Sequence, residues 1–206
     1  DLGKLQTRGR GEDLLDHARR ELEPLLEWAL ELGVVSICCD SIRADLDATV
    51  ALFRLLIDLT AGTQLQLGVE NSQRGVINSP EMMNEAVHRV GDPRMGLLVD
   101  VGHVNTTIHN GWNDCASAAE FLAGLKVPIW DTHIHNNDGS SDGHLTLRDP
   151  AGTLDLSAIV AGFQSLGYGG PLQMECAPKN RAWSQEELSA VVVDDRRYLE
   201  GLIGGP

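Results

Sequence analysis

The chain has 206 residues, 42% hydrophobic and 22% charged, a composition that suits a packed globular domain and excludes a disordered segment. Its 30 acidic side chains outnumber 16 basic ones, and the formal charge of −14 gives a field that repels nucleic-acid phosphates. The sequence shows no apolar run of bilayer length and no signal-peptide pattern at Asp1. With Cys38, Cys39, Cys115 and Cys176 outside any CxxC spacing, a cytoplasmic protein with reduced thiols is expected, and no membrane partner.

The first predicted element is a helix over about 12–32, where Leu14, Leu15, Ala18, Leu22, Leu25, Leu26, Ala29 and Leu32 recur at three- and four-residue steps. Gly33 supplies its stop. Val34-Val35-Ser36-Ile37-Cys38-Cys39 then reads as a buried strand ending at Asp40, and a helix over about 45–60 follows, closed by Gly62. Leu65-Gln66-Leu67-Gly68-Val69 leads into Glu70, and Ser79-Pro80-Glu81 opens the next helix, with Ser as N-cap and Pro in the first turn. Met95-Gly96-Leu97-Leu98-Val99 leads into Asp100, ahead of a helix near 114–125. The run from Val127 to Ile134 leads into His135, ahead of a helix near 155–166. Pro171-Leu172-Gln173-Met174 leads into Glu175, ahead of a last helix over about 185–203.

Short apolar strands alternating with amphipathic helices read as parallel βα units. The polar residues at the strand ends are Asp40, Glu70, Asp100, His135 and Glu175, spaced by 30, 30, 35 and 40 residues. In a (β/α)8 barrel such C-terminal strand ends converge on one site, whereas in an open doubly wound sheet they spread along an edge. No GxGxxG or Walker loop supports a nucleotide-binding alternative. The expected fold class is therefore α/β, a (β/α)8 TIM barrel. Five strands are read where a closed barrel has eight, so a single, N-terminally incomplete barrel domain over 1–206 is expected, lacking its first three βα units and holding strands four to eight. Open sheet edges predict association into a homo-oligomer.

Glu70, Asp100, His135 and Glu175 offer three carboxylates and one imidazole, a donor set for one Mn, Mg, Co or Zn ion rather than for thiolate-preferring metals. Two further pairs flank the set. Asp100-Val101-Gly102-His103 puts an imidazole three residues past an acid, and Asp142-Gly143-His144 puts another acid and imidazole in the following loop. His103 and His144 are candidates for substrate binding or, with Asp142, for an additional metal. His133 alternates with His135 along one strand, so one of the two is expected to face away; that outward, helix-packing place is assigned to His133.

The segments Gly68-Val69-Glu70-Asn71-Ser72, Leu98-Val99-Asp100-Val101-Gly102-His103, His135-Asn136-Asn137-Asp138, Asp142-Gly143-His144 and Met174-Glu175 resemble the xylose isomerase-like TIM barrel superfamily. Its members include sugar phosphate isomerases and epimerases and the AP endonucleases of family 2, the endonuclease IV type. The resemblance runs from about residue 34 to 203 and implies that Glu70, Asp100, His135 and Glu175 bind the metal from strands five to eight. In the endonuclease branch, counterparts of His103, Asp142 and His144 hold a third zinc, but that branch also draws two histidines from an earlier part of the barrel that this sequence does not contain. The charge of −14 and the lack of a basic, aromatic-laced loop also speak against nucleic acid as a partner. Relative to the ketohexose epimerases, Ser140-Ser141 stand where a substrate-contacting Arg is expected, and the glycine-rich segment after D-x-H reads Leu147-Arg148-Asp149-Pro150-Ala151-Gly152.

The expected function is a divalent-metal-dependent isomerase or epimerase of a sugar or related polyhydroxy carbonyl compound, working by proton transfer through an enediolate. The metal acts as Lewis acid. Glu70 and Glu175 serve as acid and base, a role implied by the resemblance. His103 and His144 bind substrate, Asn71 orients Glu70, and Trp112 and Trp183, read as lying on loops after strand ends, stack on a sugar face. Three alternatives stay open: a metal-dependent lyase or dehydratase on a polyol ketone, a zinc AP endonuclease, and a non-catalytic binding module.

Overall fold

The computed structural model describes residues 12–41, 45–177 and 182–204. Five strands lie in chain order in one sheet, β1 (Ser36–Asp40), β2 (Gln66–Glu70), β3 (Met95–Asp100), β4 (Ile129–Ile134) and β5 (Gln173–Met174). The pairs β1–β2, β2–β3 and β4–β5 are parallel. The helices are α1 (Glu12–Glu31), α2 (Leu46–Leu59), α3 (Pro80–Val90), α4 (Val101–His109), α5 (Ala118–Gly124), α6 (Leu156–Ser165) and α7 (Gln185–Gly204). Each strand is followed by at least one helix, the βα arrangement expected of this fold class. Among the described residues, no helix is long and apolar enough to cross a membrane.

The chain divides into two compact units. The first comprises residues 1–99 and 126–131. Here α1 buries Ala18, with Leu15 and Leu22, against Leu52, Leu55 and Leu59 of α2. Gly33 takes the left-handed φ of 72° that ends α1, and Pro24 is accommodated within the helix. Asp45 caps α2, accepting the Asp47 and Ala48 amides at 2.8 and 3.1 Å. At the other end of α2, the Arg94 guanidinium donates to the Thr60 carbonyl at 2.7 Å and the Ile57 carbonyl at 3.0 Å, satisfying oxygens that the helix leaves open. Ser79 caps α3 and Pro80 opens it, as its sequence predicts. The β1–β2 register sets Asp40 opposite Glu70, and every residue of β3 is buried.

The second unit comprises residues 100–125 and 132–206. Its core is built by Phe121 and Leu122 of α5, Leu156, Ile159, Val160 and Phe163 of α6, and Leu199 of α7. His133 and Ile134, at the end of β4, pair with Gln173 and Met174. The segment after β3 differs from its sequence expectation. A helix was expected only near 114–125, yet α4 starts directly after Asp100, and α5 forms separately from Ala118. The pattern of α4 is weak because Gly102, Thr106 and Thr107 are poor helix formers. The two threonine hydroxyls return to the Gly102 and Val104 carbonyls at 2.8 and 2.9 Å, and the segment is held by burial of Val101 and Val104.

Candidate metal centre

Asp100 is fully buried at the junction of β3 and α4. Its Oδ1 accepts the His103 amide at 2.8 Å, so the carboxylate is at once the α4 N-cap and the floor of a polar cluster in the second unit. Three imidazoles surround it: His103 Nδ1 at 3.8 Å, His133 Nδ1 at 3.6 Å and His135 Nε2 at 3.2 Å. Burial by itself would push the Asp100 carboxyl up, but the charge of His103 and the hydrogen bond from His133 outweigh it and hold the group well below the usual carboxylate range.

The position of His133 corrects the sequence expectation. Its ring faces the cluster, with Nδ1 3.0 Å from Glu175 Oε2. The alternation argument required His133 and His135 to share one strand, but β4 ends at Ile134 and His135 lies in irregular backbone beyond it. The chain turns there, so both rings reach Asp100.

His135 is fully buried. Its Nδ1 lies 3.3 Å from the Asn136 carbonyl, a contact in which the nitrogen donates, so the neutral ring carries its lone pair on Nε2. That Nε2 faces Asp100 Oδ1 at 3.2 Å and Asp142 Oδ1 at 3.5 Å without forming a hydrogen bond. Asp142 Oδ1 is likewise buried without a hydrogen-bond partner. Orphaned buried acceptors cost about 1–3 kcal/mol each. A cation placed among them removes that cost, so these residues fit a metal ion. The ring has room because residue 102 is glycine: a Cβ there would collide with His135.

His144 stacks on His135 with ring centroids 4.1 Å apart and planes 10° from parallel. Its backbone has a positive φ, 47°. Its Nδ1 donates to the Glu175 carbonyl at 2.8 Å, and its Nε2 lies 3.1 Å from Asp142 Oδ2. The hydrogen bond to Asp142 is the main reason that the His144 pKa is pushed up to about 9. Asp142 Oδ2 also lies 3.5 Å from His103 Nε2. Burial raises the Asp142 carboxyl, but His103 and His144 together keep it well below the ordinary range.

The donor atoms of Asp100, His133 and Glu175 lie within 4.8 Å of one another, as do those of His135, His144 and Glu175. The structure thus brings together Asp100, His103, His135, Asp142, His144 and Glu175 of the sequence-predicted residues, and adds His133. Glu70 ends β2 half-buried and Asn71 follows it fully buried, both in the first unit. Trp112 is exposed. It follows the C-terminal end of α4, whereas Asp100 caps the N-terminal end, and 9 helical residues span about 13 Å. The inserted helix is what removes it from the strand end. Trp183 sits half-buried just ahead of α7.

Two residues that sequence reasoning left without a role frame the cluster. Asn136 donates to the Leu147 carbonyl at 3.1 Å and accepts the Asn137 and Leu154 amides at 2.9 and 3.1 Å. Asn137 donates to the Gly102 carbonyl at 2.9 Å and accepts from Asn105 Nδ2 at 2.7 Å. They tie the backbone on both sides of the His135 ring, and their place directly after that histidine was the available signal.

Residues 8–192 match the sequence family described as xylose isomerase-like TIM barrel. An uncharacterized protein of Methanocaldococcus jannaschii is 26% identical over 133 residues, covering 63% of this chain and 43% of that protein. The chain therefore matches less than half the length of this curated relative. The crystal structure of a D-tagatose 3-epimerase-like protein superposes with a TM-score of 0.75 at 19% identity, covering 95% of this chain and 73% of that one. A crystal structure of IOLI protein with a binding zinc atom superposes with a TM-score of 0.66 at 14% identity, covering 95% and 72%. At such identities the likeness is one of fold.

Proposed function

The chain belongs to the xylose isomerase-like TIM barrel family, and on that premise we propose that it is a divalent-metal-dependent isomerase or epimerase of a sugar or related polyhydroxy carbonyl compound. The observation that carries this reading is the buried His135 Nε2, aimed at the oxygens of Asp100 and Asp142 without a hydrogen bond. The D-tagatose 3-epimerase-like and zinc-binding relatives in fold support the same substrate and metal classes.

Asp100, His135 and Glu175 would hold the ion, with His133 beside them; Glu70 is carried as the fourth ligand on its place in the family's motif order alone. The imidazole-rich surroundings favour Zn, Co or Mn over Mg. When bound, the ion supplies Lewis-acid charge for the oxygens of the substrate's carbonyl and neighbouring hydroxyl. The Glu175 side chain, 42% exposed, is the carboxylate able to meet a substrate, and it takes up the proton of the carbon beside the carbonyl. Return of a proton to the opposite face of that carbon inverts it, and return to the former carbonyl carbon exchanges ketose for aldose. Glu70 is the second proton carrier by the family resemblance. His133 orients the Glu175 carboxylate through the 3.0 Å contact at Oε2, and His103 donates to a substrate oxygen.

His103 and His144 flank Asp142 Oδ2 at 3.5 and 3.1 Å, and the gathering of these three residues keeps the zinc endonuclease as the rival reading. The test is metal content after dialysis together with solvent-deuterium uptake into D-tagatose and related ketoses and aldoses. Roughly one ion per chain, lost in His135→Ala, with deuterium entering a sugar, is the expected result. Two or three zincs with cleavage of abasic DNA would replace it, and a folded protein that takes up no metal would remove the enzymatic reading.

A further inference from the structure

Asp195 is a carboxylate on α7, 3% exposed, and no step described so far uses it. Its Oδ2 accepts the Leu147 amide at 2.7 Å. The carbonyl of the same Leu147 is held from the other side by Asn136 Nδ2 at 3.1 Å. Between these anchors and the cluster, Leu145 exchanges two backbone hydrogen bonds with Asn136, at 3.0 and 2.7 Å. The loop that carries Asp142 and His144 is therefore stitched to the residue after His135 and, through Asp195, to α7. Arg148 adds a second tie, its guanidinium lying 5.7 Å from the centre of the Tyr198 ring on α7.

The same carboxylate also reaches the segment after β5. Cys176, the neighbour of Glu175, points its thiol at Asp195 Oδ2 at 3.9 Å. The Ala177 amide donates to the His144 carbonyl at 2.9 Å, joining the two segments that Asp195 backs. Burial pushes the Asp195 carboxyl upward, and the Leu147 and Arg148 amides draw it back. A buried carboxylate costs several kcal/mol in desolvation. An apolar residue would fill the space without that cost, so the placement calls for a role in geometry.

We propose that Asp195 is a positioning residue for the metal centre: by clamping the Leu147 amide and the Cys176 thiol it fixes His144, in its left-handed backbone conformation, against Glu175. This rests on the metal reading above. It assigns to α7 a part in the site.

The test compares Asp195→Asn and Asp195→Ala with Leu199→Ala, a buried apolar truncation on the same helix. Two quantities are read: Co²⁺ affinity with its visible absorption spectrum, and the ¹⁵N resonances of the His144 ring in metal-free protein. Asp195→Ala should bind Co²⁺ about 10- to 100-fold more weakly with an altered spectrum and shift the His144 ring signals, and Asp195→Asn, whose amide oxygen can still accept the Leu147 amide, should fall between it and the parent. Leu199→Ala should lower the melting temperature and leave the spectrum and ring signals as in the parent. If the Asp195 variants keep the parent's ring signals, or if Leu199→Ala moves them equally, the positioning role is wrong. If the parent protein binds no Co²⁺, the metal reading fails, while the metal-free ring signals still decide whether Asp195 positions His144.

Discussion

The seat of His135 depends on an absent side chain. Gly102 opens the first turn of α4, and its missing Cβ leaves the volume that the imidazole occupies. Gly102→Ala should therefore displace the ring while adding helix propensity of about 1 kcal/mol to α4. The expected outcome is a fold that melts near the parent temperature with metal affinity lowered by tenfold or more, on the order of what loss of a ligand-orienting contact does. Calorimetric titration with Zn²⁺ checks this, and unchanged affinity would show that His135 is not a ligand. His133→Ala separates the two histidines further. With Nδ1 3.0 Å from Glu175 Oε2, its loss should weaken metal binding and slow any proton exchange; an outward-facing histidine would do neither.

At the level of elements, the helix ends make the clearest wagers. Arg94 closes the C-terminus of α2 through the Ile57 and Thr60 carbonyls while paired with Asp92 at 3.1 Å. Arg94→Ala should cost about 2–3 kcal/mol in urea denaturation, because charged donors to buried carbonyls are removed. Asp45→Ala strips the N-cap of the same helix and should cost about 1 kcal/mol. Losses below a few tenths in both would mean that α2 is held by its buried face alone. The element hardest to read in the sequence was α4, and it decides a site residue. Because it starts at once after Asp100, it makes that carboxylate a helix cap and places Trp112 past the helix's far end.

For the whole molecule, the charge of −14 and the buried carboxylates of the cluster act together. A bound cation relieves repulsion and satisfies buried acceptors, so a metal present at 100 times its Kd should add about 2.7 kcal/mol of stability. Scanning calorimetry with and without chelator reads this as a lowered melting temperature on chelation; identical transitions would deny a metal linked to folding. The same charge predicts no measurable anisotropy change of an abasic-site duplex at physiological salt. Tight duplex binding would instead favour the endonuclease branch of the family.

The strand order, the helix cap at Ser79, and the strand-end positions of Glu70, Asp100 and Glu175 were legible because they follow from local rules. Apolar runs of fixed length, cap chemistry and helical period each act within about ten residues. The inward turn of His133, the bracing by Asn136 and Asn137 and the reach of Asp195 to Leu147 were not. They depend on how irregular backbone beyond Ile134 bends and on a contact between residues 48 apart in sequence. Side-chain alternation stops with the regular strand, and no pattern within a segment records what another segment packs against it. The sequence by itself therefore determined the βα frame and most of the polar residues gathered around Asp100; the tertiary structure alone decided which of their atoms face one another.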